Sequence, residues 1–250
     1  MLDFFAAALA TDGIWMLFSG ALVAGIVRGF AGFGTAMVYL PVAAQVVGPF
    51  EALTTLIIID LTGPLIHVPR AIRDGHPGDV LRLGLGAALA VPLGVWVLSL
   101  VEPEVFRYGV SIVALVLLTL LIAGVRFHGQ LTKPMIFGTG ALGGFLGGSV
   151  GVPGPPVIML YMASELPVKT IRANNTLYLI LADIILLVVL ALRGFLAASA
   201  VAIGILAILP YTIGNWIGAA MFRPEAEGRY RFAAYVIIAA SAIFGLPIWD

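Results

Sequence analysis

Two carboxyl side chains lie inside long apolar stretches, where a charge is costly and usually serves a function. Asp60 follows the run Leu56-Ile-Ile-Ile59, and Asp183 follows Leu179-Ile-Leu-Ala182. Each carboxyl could take up and release a proton, so the two aspartates are candidate proton-coupling residues. The competing interpretation is that each one only pairs with a buried cation, such as Arg28, or caps a helix kink.

Arg28 is a third charged side chain in an apolar setting, and it lies inside a glycine-rich run. A guanidinium stays charged and grips an oxyanion through two parallel hydrogen bonds, so Arg28 is the residue most suited to contact an anion. The alternative is an arginine whose long side chain reaches out of the membrane, or one that lies in a loop.

Two glycine-rich runs of similar pattern predict places where a helix breaks. The first is Gly25-Ile-Val-Arg-Gly29-Phe-Ala-Gly32-Phe-Gly34, and the second is Gly144-Phe-Leu-Gly-Gly148-Ser-Val-Gly151-Val-Pro-Gly154. A helix that begins after such a break, near Thr35 or Val157, presents unpaired N–H groups and a partial positive charge, which suit a small anion. Nearby hydroxyl and amide side chains could add donors. The candidate substrate contacts are Arg28, Gly32, Gly34, Thr35, Ser149, Gly151, Gly154, Asn174 and Asn175.

The same residues also have purely structural interpretations. Glycines four apart, such as Gly25 and Gly29, let membrane helices approach each other closely. Amides and hydroxyls in membrane segments could line a polar path or only bond one helix to another. The side chains that admit both interpretations are Asn174, Asn175, Asn215, Tyr161, Tyr178 and Tyr211. Neither glycine run ends in the Lys-Ser or Lys-Thr of a phosphate-binding loop, so nucleotide hydrolysis is not expected.

The elements that carry these residues must be membrane helices. Of the 250 residues, 61% are hydrophobic and 10% are charged, whereas about a quarter of a soluble domain is charged. Several apolar runs reach the roughly 20 residues that cross a bilayer as a helix, which satisfies its own backbone groups. We therefore expect an all-α polytopic membrane protein.

Composition also argues against several partners and cofactors. The chain has no cysteine and a net charge of zero, so disulfides, thiolate metal sites and nucleic acid are not expected. The histidines show no metal-ligand spacing, and no cofactor is predicted. The start Met1-Leu2-Asp3 carries an acid and no basic residue, unlike a signal peptide, so we expect it to belong to the mature protein.

The order of the motifs indicates that the chain repeats itself once. Beyond the two glycine runs, the matched segments are Ala52-Leu-Thr-Thr55 with Ala173-Asn-Asn-Thr176, and Gly94 with Gly214. We predict two membrane repeats, residues 1–128 and 129–250, which form one integral transport domain.

The length of each glycine-rich stretch indicates how the repeats cross the membrane. As one helix, residues 14–47 would run about 50 Å, which is far more than a bilayer needs. Each stretch must break or fold back. If each folds back as a hairpin of short helices, three further helices in each half cross the membrane, and the two halves lie in opposite orientations.

The basic residues of the loops favour this hairpin arrangement. It places ten of them on one side of the membrane and two on the other, and positive charge collects on the cytoplasmic side. The ten are Arg70, Arg73, Arg82, Arg126, Lys133, Lys169, Arg172, Arg223, Arg229 and Arg231, and the two are Arg107 and Arg193. We therefore predict two inverted repeats, each a Gly-broken helical hairpin plus three transmembrane helices, with both termini outside.

These motifs resemble those of the sulfite exporter TauE/SafE-like family of bacterial membrane permeases. The resemblance rests on the first glycine run leading to Leu40-Pro41 and Ala52-x-Thr-Thr55, and on the second run followed by Ala173-x-x-Thr176. It covers nearly the whole chain. Membership would imply export, or sometimes uptake, of sulfite, sulfonates or related small anions.

The leading functional hypothesis is a secondary transporter, and specifically an exporter, of a small anion such as sulfite or an organosulfonate. The anion would bind at the broken half-helices near the membrane midplane, and Asp60 and Asp183 could couple its movement to protons. An intramembrane enzyme that uses these aspartates is one alternative, and a structural subunit of a membrane complex is another. Enzyme activity is not expected, because the aspartates lack supporting catalytic motifs. The expected partners are the small anion, the lipid bilayer and a second copy in a homodimer.

Overall fold

The computed structural model describes residues 2–124, 131–162, 164, 166–222 and 227–248, and its regular elements in these ranges are all helical. The α-helices are α1 (Leu2–Leu9), α2 (Ile14–Ala31), α3 (Thr35–Ala43), α4 (Pro49–Thr62), α5 (Val68–Asp74), α6 (Pro77–Leu98), α7 (Pro103–Ile122), α8 (Lys133–Val150), α9 (Gly154–Met162), α10 (Val168–Leu192), α11 (Ala198–Met221) and α12 (Glu227–Phe244). A 3-10 helix, Pro64–His67, lies between α4 and α5. Two of the ten basic residues predicted on the cytoplasmic side, Arg126 and Arg223, lie outside the described residues.

Five of the described helices, α2, α6, α7, α10 and α11, are long and apolar enough to cross a bilayer. Large apolar side chains on them stay exposed to the surroundings, among them Trp15, Leu89 and Trp216. Such surfaces suit contact with lipid tails. The protein is therefore a multi-pass membrane protein, and the prediction of an all-α polytopic fold is confirmed.

Both predicted helix breaks are present. α2 ends at Gly32, which has φ 78°, and Gly34, with φ 99°, precedes α3. α8 ends at Gly151, which has φ 73°. Glycine adopts these left-handed conformations without the steric cost that a Cβ brings. The helix predicted to start near Thr35 starts there, whereas the second starts at Gly154, three residues before the predicted Val157.

After its break, α3 turns back along α2. A Cβ added to Gly34 would lie 3.3 Å from Val27, and one added to Gly20, at an earlier turn of α2, would lie 3.1 Å from Val42 at the far end of α3. Later residues of α3 thus meet earlier residues of α2, so the two helices run antiparallel. Around the first glycine run, the chain thus folds back on itself.

The chain folds into two compact units, each built from both ends of the sequence. Unit 1 contains Met1–Asp60, Glu102–Thr119 and Gly194–Asp250, and unit 2 contains Leu61–Val101 and Leu120–Arg193. Within unit 1, α2 packs on α11, and within unit 2, α8 packs on α6. In each unit, a helix of one predicted repeat thus packs on a helix of the other. The division into repeats at residues 128 and 129 remains a prediction.

Glycines bring the backbones of these helix pairs together, so part of each run does serve packing. A Cβ added to Gly29 would overlap the backbone at Gly218, and one added to Gly148 would overlap the backbone around Gly94. With Gly29 matched to Gly148, as the predicted repeat has it, this packing would pair Gly94 with Gly218. Sequence comparison had matched Gly94 with Gly214, about one helical turn earlier. Both glycines of α11 lie against α2, so a comparison of residue types alone could not separate them.

The helix that carries Asp60 is interrupted. α10, which corresponds to it in the predicted repeat, runs unbroken for 25 residues. α4 has 14 residues, about 21 Å, which is too short to cross a bilayer core of about 30 Å alone. Pro64 is the cause, because it has no N–H to donate to the carbonyl of Asp60 and its ring crowds that carbonyl. A helix break thus directly follows a candidate proton-coupling residue.

Candidate functional site

In unit 1, four polar side chains from four helices meet beside the first break. The hydroxyls of Thr35 and Tyr211 lie 3.2 Å apart, and the Tyr211 hydroxyl donates to Oδ1 of Asp60 at 3.3 Å. Nη1 of Arg28 lies 3.9 Å from the same Oδ1 atom. The Tyr211 hydroxyl has one proton, which it donates to Asp60. In its contact with Thr35, Tyr211 is therefore the acceptor and Thr35 is the donor. We call Arg28, Thr35, Asp60 and Tyr211 the unit 1 cluster.

The unit 1 cluster lies mostly away from the surface. Thr35 and Tyr211 are 1% and 2% exposed, and the side chains of Arg28 and Asp60 are 18% and 14% exposed. At 3.9 Å, Arg28 and Asp60 form an ion pair without a direct hydrogen bond between those two atoms. The sequence allows Asp60 either to carry a proton or to pair with a buried cation. The structure shows the pairing with Arg28.

The fold explains why these side chains converge. Arg28 lies in the last turn of α2, where the negative end of the helix favours a cation. Thr35 is the first residue of α3, so its hydroxyl lies at the positive end of that helix. No side chain caps α3 at Gly34, and a Cβ at Gly32 would meet no atom within 4 Å. The break therefore combines helix N–H groups, a guanidinium and a hydroxyl.

In unit 2, polar groups also gather at a break. The Tyr178 hydroxyl and the carbonyl of Pro153 both lie against Gly143, where an added Cβ would overlap them. This contact places the hydroxyl next to the break that ends α8. The hydroxyl is buried and has no hydrogen-bond partner among the described residues. Asp183, on the same helix as Tyr178, is 8% exposed.

The remaining predicted residues of unit 2 make local contacts. Ser149 donates its hydroxyl to the carbonyl of Phe145 in its own helix, at 2.8 Å. Asn174 is fully buried, and its Oδ1 accepts the backbone N–H of His76 at 2.7 Å. Within the described part of the chain, Nδ2 of Asn174 and Oδ1 of Asn175 are buried without a hydrogen-bond partner.

The structure brings Arg28, Thr35 and Asp60 of the prediction together, and it adds Tyr211. The sequence had marked Tyr211 only as one of several polar residues in apolar segments. Its immediate neighbours are apolar or small, so nothing local distinguished it from Tyr161 or Tyr178. Its contact with Thr35 spans 176 positions, which only the packing of α11 on α2 produces.

Membrane helices with a polar cluster at a helix break are features that recur in membrane transporters. The family model described as Sulfite exporter TauE/SafE matches residues 17–245. The chain therefore belongs to the sulfite exporter TauE/SafE family, as the sequence motifs predicted, and this is a family of membrane transporters. Searches of the curated proteins and of the solved structures returned no match.

Proposed function

We propose that this chain is a secondary transporter that exports a small anion, such as sulfite or an organosulfonate, and binds it at the broken half-helices. The unit 1 cluster carries this proposal. It places a guanidinium, a hydroxyl and the uncapped start of α3 around one helix break. Guanidinium groups and helix N-termini are the groups that proteins use for small oxyanions.

The pairing of Arg28 with Asp60 suggests how protons would couple to the anion. When Asp60 is ionised, its carboxylate competes with the anion for the guanidinium. When Asp60 takes up a proton, the competition ends and Arg28 can bind the anion in its place. Protonation and anion binding then favour each other, so anion transport depends on pH.

The hydroxyls of Thr35 and Tyr211 would complete this exchange. Thr35 donates to Tyr211, which donates to Asp60. An anion that displaces the carboxylate from Arg28 would lie near this chain of hydroxyls and could accept a hydrogen bond from it. Gly32 and Gly34 would let the anion approach the backbone closely.

The second break would supply the matching part of the pathway in unit 2. Gly151 and Gly154 flank it, and the buried Tyr178 hydroxyl lies beside it. We propose Asp183 as its proton-coupling residue. Ser149, Asn174 and Asn175 remain proposed contacts, although Ser149 and Asn174 already make the local hydrogen bonds given above.

We further propose inverted repeats in the bacterial inner membrane, with both termini outside and with a homodimer as the assembly. The antiparallel packing of α3 on α2 supports this arrangement. A hairpin that returns to its own side adds no net crossing. The three further helices of each half then give it an odd number of crossings. The second half then begins on the opposite side and lies upside down relative to the first.

Transport of labelled sulfite or a sulfonate into proteoliposomes tests the function. We expect wild-type transport to depend on pH and Arg28→Ala to lower it at least about tenfold, because a charged hydrogen bond worth roughly 1.5–3 kcal/mol is lost. Asp60→Asn should still bind the anion but lose the pH dependence of transport. Arg193→Ala, an exposed arginine of unit 2, is the matched control. Full transport by Arg28→Ala would refute the assignment of the anion site.

A further inference from the structure

A second concentration of positive charge lies in unit 2, apart from the helix breaks. The end of α5 and the first turns of α10 line an open cavity of about 590 Å³. Three basic side chains line it, Arg70, Lys169 and Arg172, and one acid, Asp74. A cavity of this size is in the range that small ligands occupy, roughly 300–1,000 Å³.

The single carboxylate is already engaged by two of the cations. Oδ1 of Asp74 lies 2.9 Å from Nζ of Lys169, and its Oδ2 lies 3.5 Å from Nε of Arg70. The hydrogen bond from Lys169 holds the pKa of Asp74 below its usual range, and Arg70 adds to this effect. Asp74 is therefore ionised at neutral pH. Because both of its oxygens are already paired, its charge does not also neutralise Arg172.

Arg172 is the third basic side chain of the lining. It is exposed to the cavity side of α10 and forms no ion pair with any acid in the described part of the chain. The described residues of the lining therefore carry two positive charges in excess. Thr176, one turn further along α10, adds a hydroxyl to the same lining.

From this excess charge, we propose that the cavity binds a tetrahedral oxyanion, at a site separate from the unit 1 cluster. Arg172 and Arg70 would grip the anion through paired guanidinium hydrogen bonds, and Thr176 would donate a further one. The phosphate of an anionic lipid headgroup and a free phosphate or sulfate ion share this chemistry. Basic pockets beside transmembrane helices are typical sites for anionic lipid headgroups.

Thermal unfolding of the detergent-solubilised protein distinguishes these sources, because a ligand that binds the folded state raises Tm. One arm adds phosphatidylglycerol, with phosphatidylcholine as the neutral comparison. The other arm adds inorganic phosphate, with chloride at equal ionic strength. We expect a saturable rise in Tm in at least one arm. A rise with phosphatidylglycerol alone assigns a lipid headgroup, and a rise with inorganic phosphate assigns a free oxyanion.

The variant Arg172→Gln should raise the ligand concentration for half-maximal effect about tenfold, since one charge-assisted hydrogen bond is lost. Because Arg172 is exposed and unpaired in the described residues, its loss should leave the fold intact. Arg193→Gln, at the other end of the same helix, should respond like the wild type. Arg28→Ala should also keep the response, which separates this site from the proposed transport site. An unchanged response in Arg172→Gln, a lost response in Arg28→Ala, or no rise in either arm would overturn the proposal.

Discussion

At the scale of single residues, the unit 1 cluster illustrates how a membrane protein keeps polar side chains in an apolar setting. Thr35, Asp60 and Tyr211 form a chain of hydrogen bonds, and Arg28 balances the charge of Asp60. A buried polar group that lacks a partner costs roughly 1–3 kcal/mol. The partners therefore stabilise one another, and an anion must replace these contacts in order to bind.

The hydroxyl of Thr35 can be removed with almost no change of shape. Thr35→Val should raise the KM for the anion about five- to tenfold and lower the stability by about 1 kcal/mol, because the hydroxyl donor at the break is lost. Thr35→Ser should behave like the wild type. Proteoliposome transport and thermal unfolding measure the two effects.

Thr119→Val is the matched control, because Thr119 is exposed and its hydroxyl donates to the carbonyl of Leu115 in its own helix. We expect its KM to be unchanged. A KM for Thr35→Val equal to that of the wild type would show that the hydroxyl does not face the anion.

At the scale of helices, glycine serves two different purposes in this chain. Gly32, Gly34 and Gly151 have positive φ angles and end or begin helices. Gly29 and Gly148 lie inside helices and bring two backbones into contact. Sequence left packing and breakage as alternatives for these runs, and the structure assigns the earlier glycines to packing and the later ones to the breaks.

The packing glycines should not tolerate a methyl group. Gly148→Ala should destabilise the protein by roughly 1–3 kcal/mol, because the added Cβ would overlap the α6 backbone around Val91 and force the helices apart. Thermal unfolding in detergent measures the loss.

Gly138→Ala supplies the control in the same helix, since a Cβ there would meet no atom within 4 Å. It should stabilise α8 by up to about 1 kcal/mol, because alanine is the better helix former. Equal effects of the two substitutions would contradict the close approach of α6 and α8.

At the scale of the whole molecule, neither compact unit is a continuous stretch of sequence. α2 needs α11, and α8 needs α6, for the close backbone contacts that their glycines make. A fragment that ends near residue 128 would leave α2 without α11 and α6 without α8. The two predicted repeats thus depend on each other for packing, whatever their origin.

The absence of cysteine from the chain makes its membrane topology directly testable. Asp12→Cys, between α1 and α2, should react with an impermeant thiol reagent added outside intact cells. Arg73→Cys, in α5, should react only after the membrane is permeabilised. Both positions are exposed, and the wild type is the unreactive control. The reverse pattern would place the termini in the cytoplasm and reject the proposed orientation.

The sequence alone was sufficient for the class of fold, the family and the positions of both breaks. These follow from local properties, namely hydropathy over about 20 residues and the conformational freedom of glycine. It also selected Arg28, Thr35 and Asp60, because a charge or a hydroxyl beside a break stands out in an apolar chain.

Only the tertiary structure decided which residues meet. Tyr211 joins Thr35 across 176 positions, and Arg70 and Arg172 line one cavity from α5 and α10. Such contacts depend on which helices pack together and in which register. In a membrane, apolar helix faces resemble one another and lipid equally, so hydropathy does not specify the partner. Close contacts between glycines select the partner helix instead. Which glycines meet cannot be deduced from the residue types of each helix taken alone.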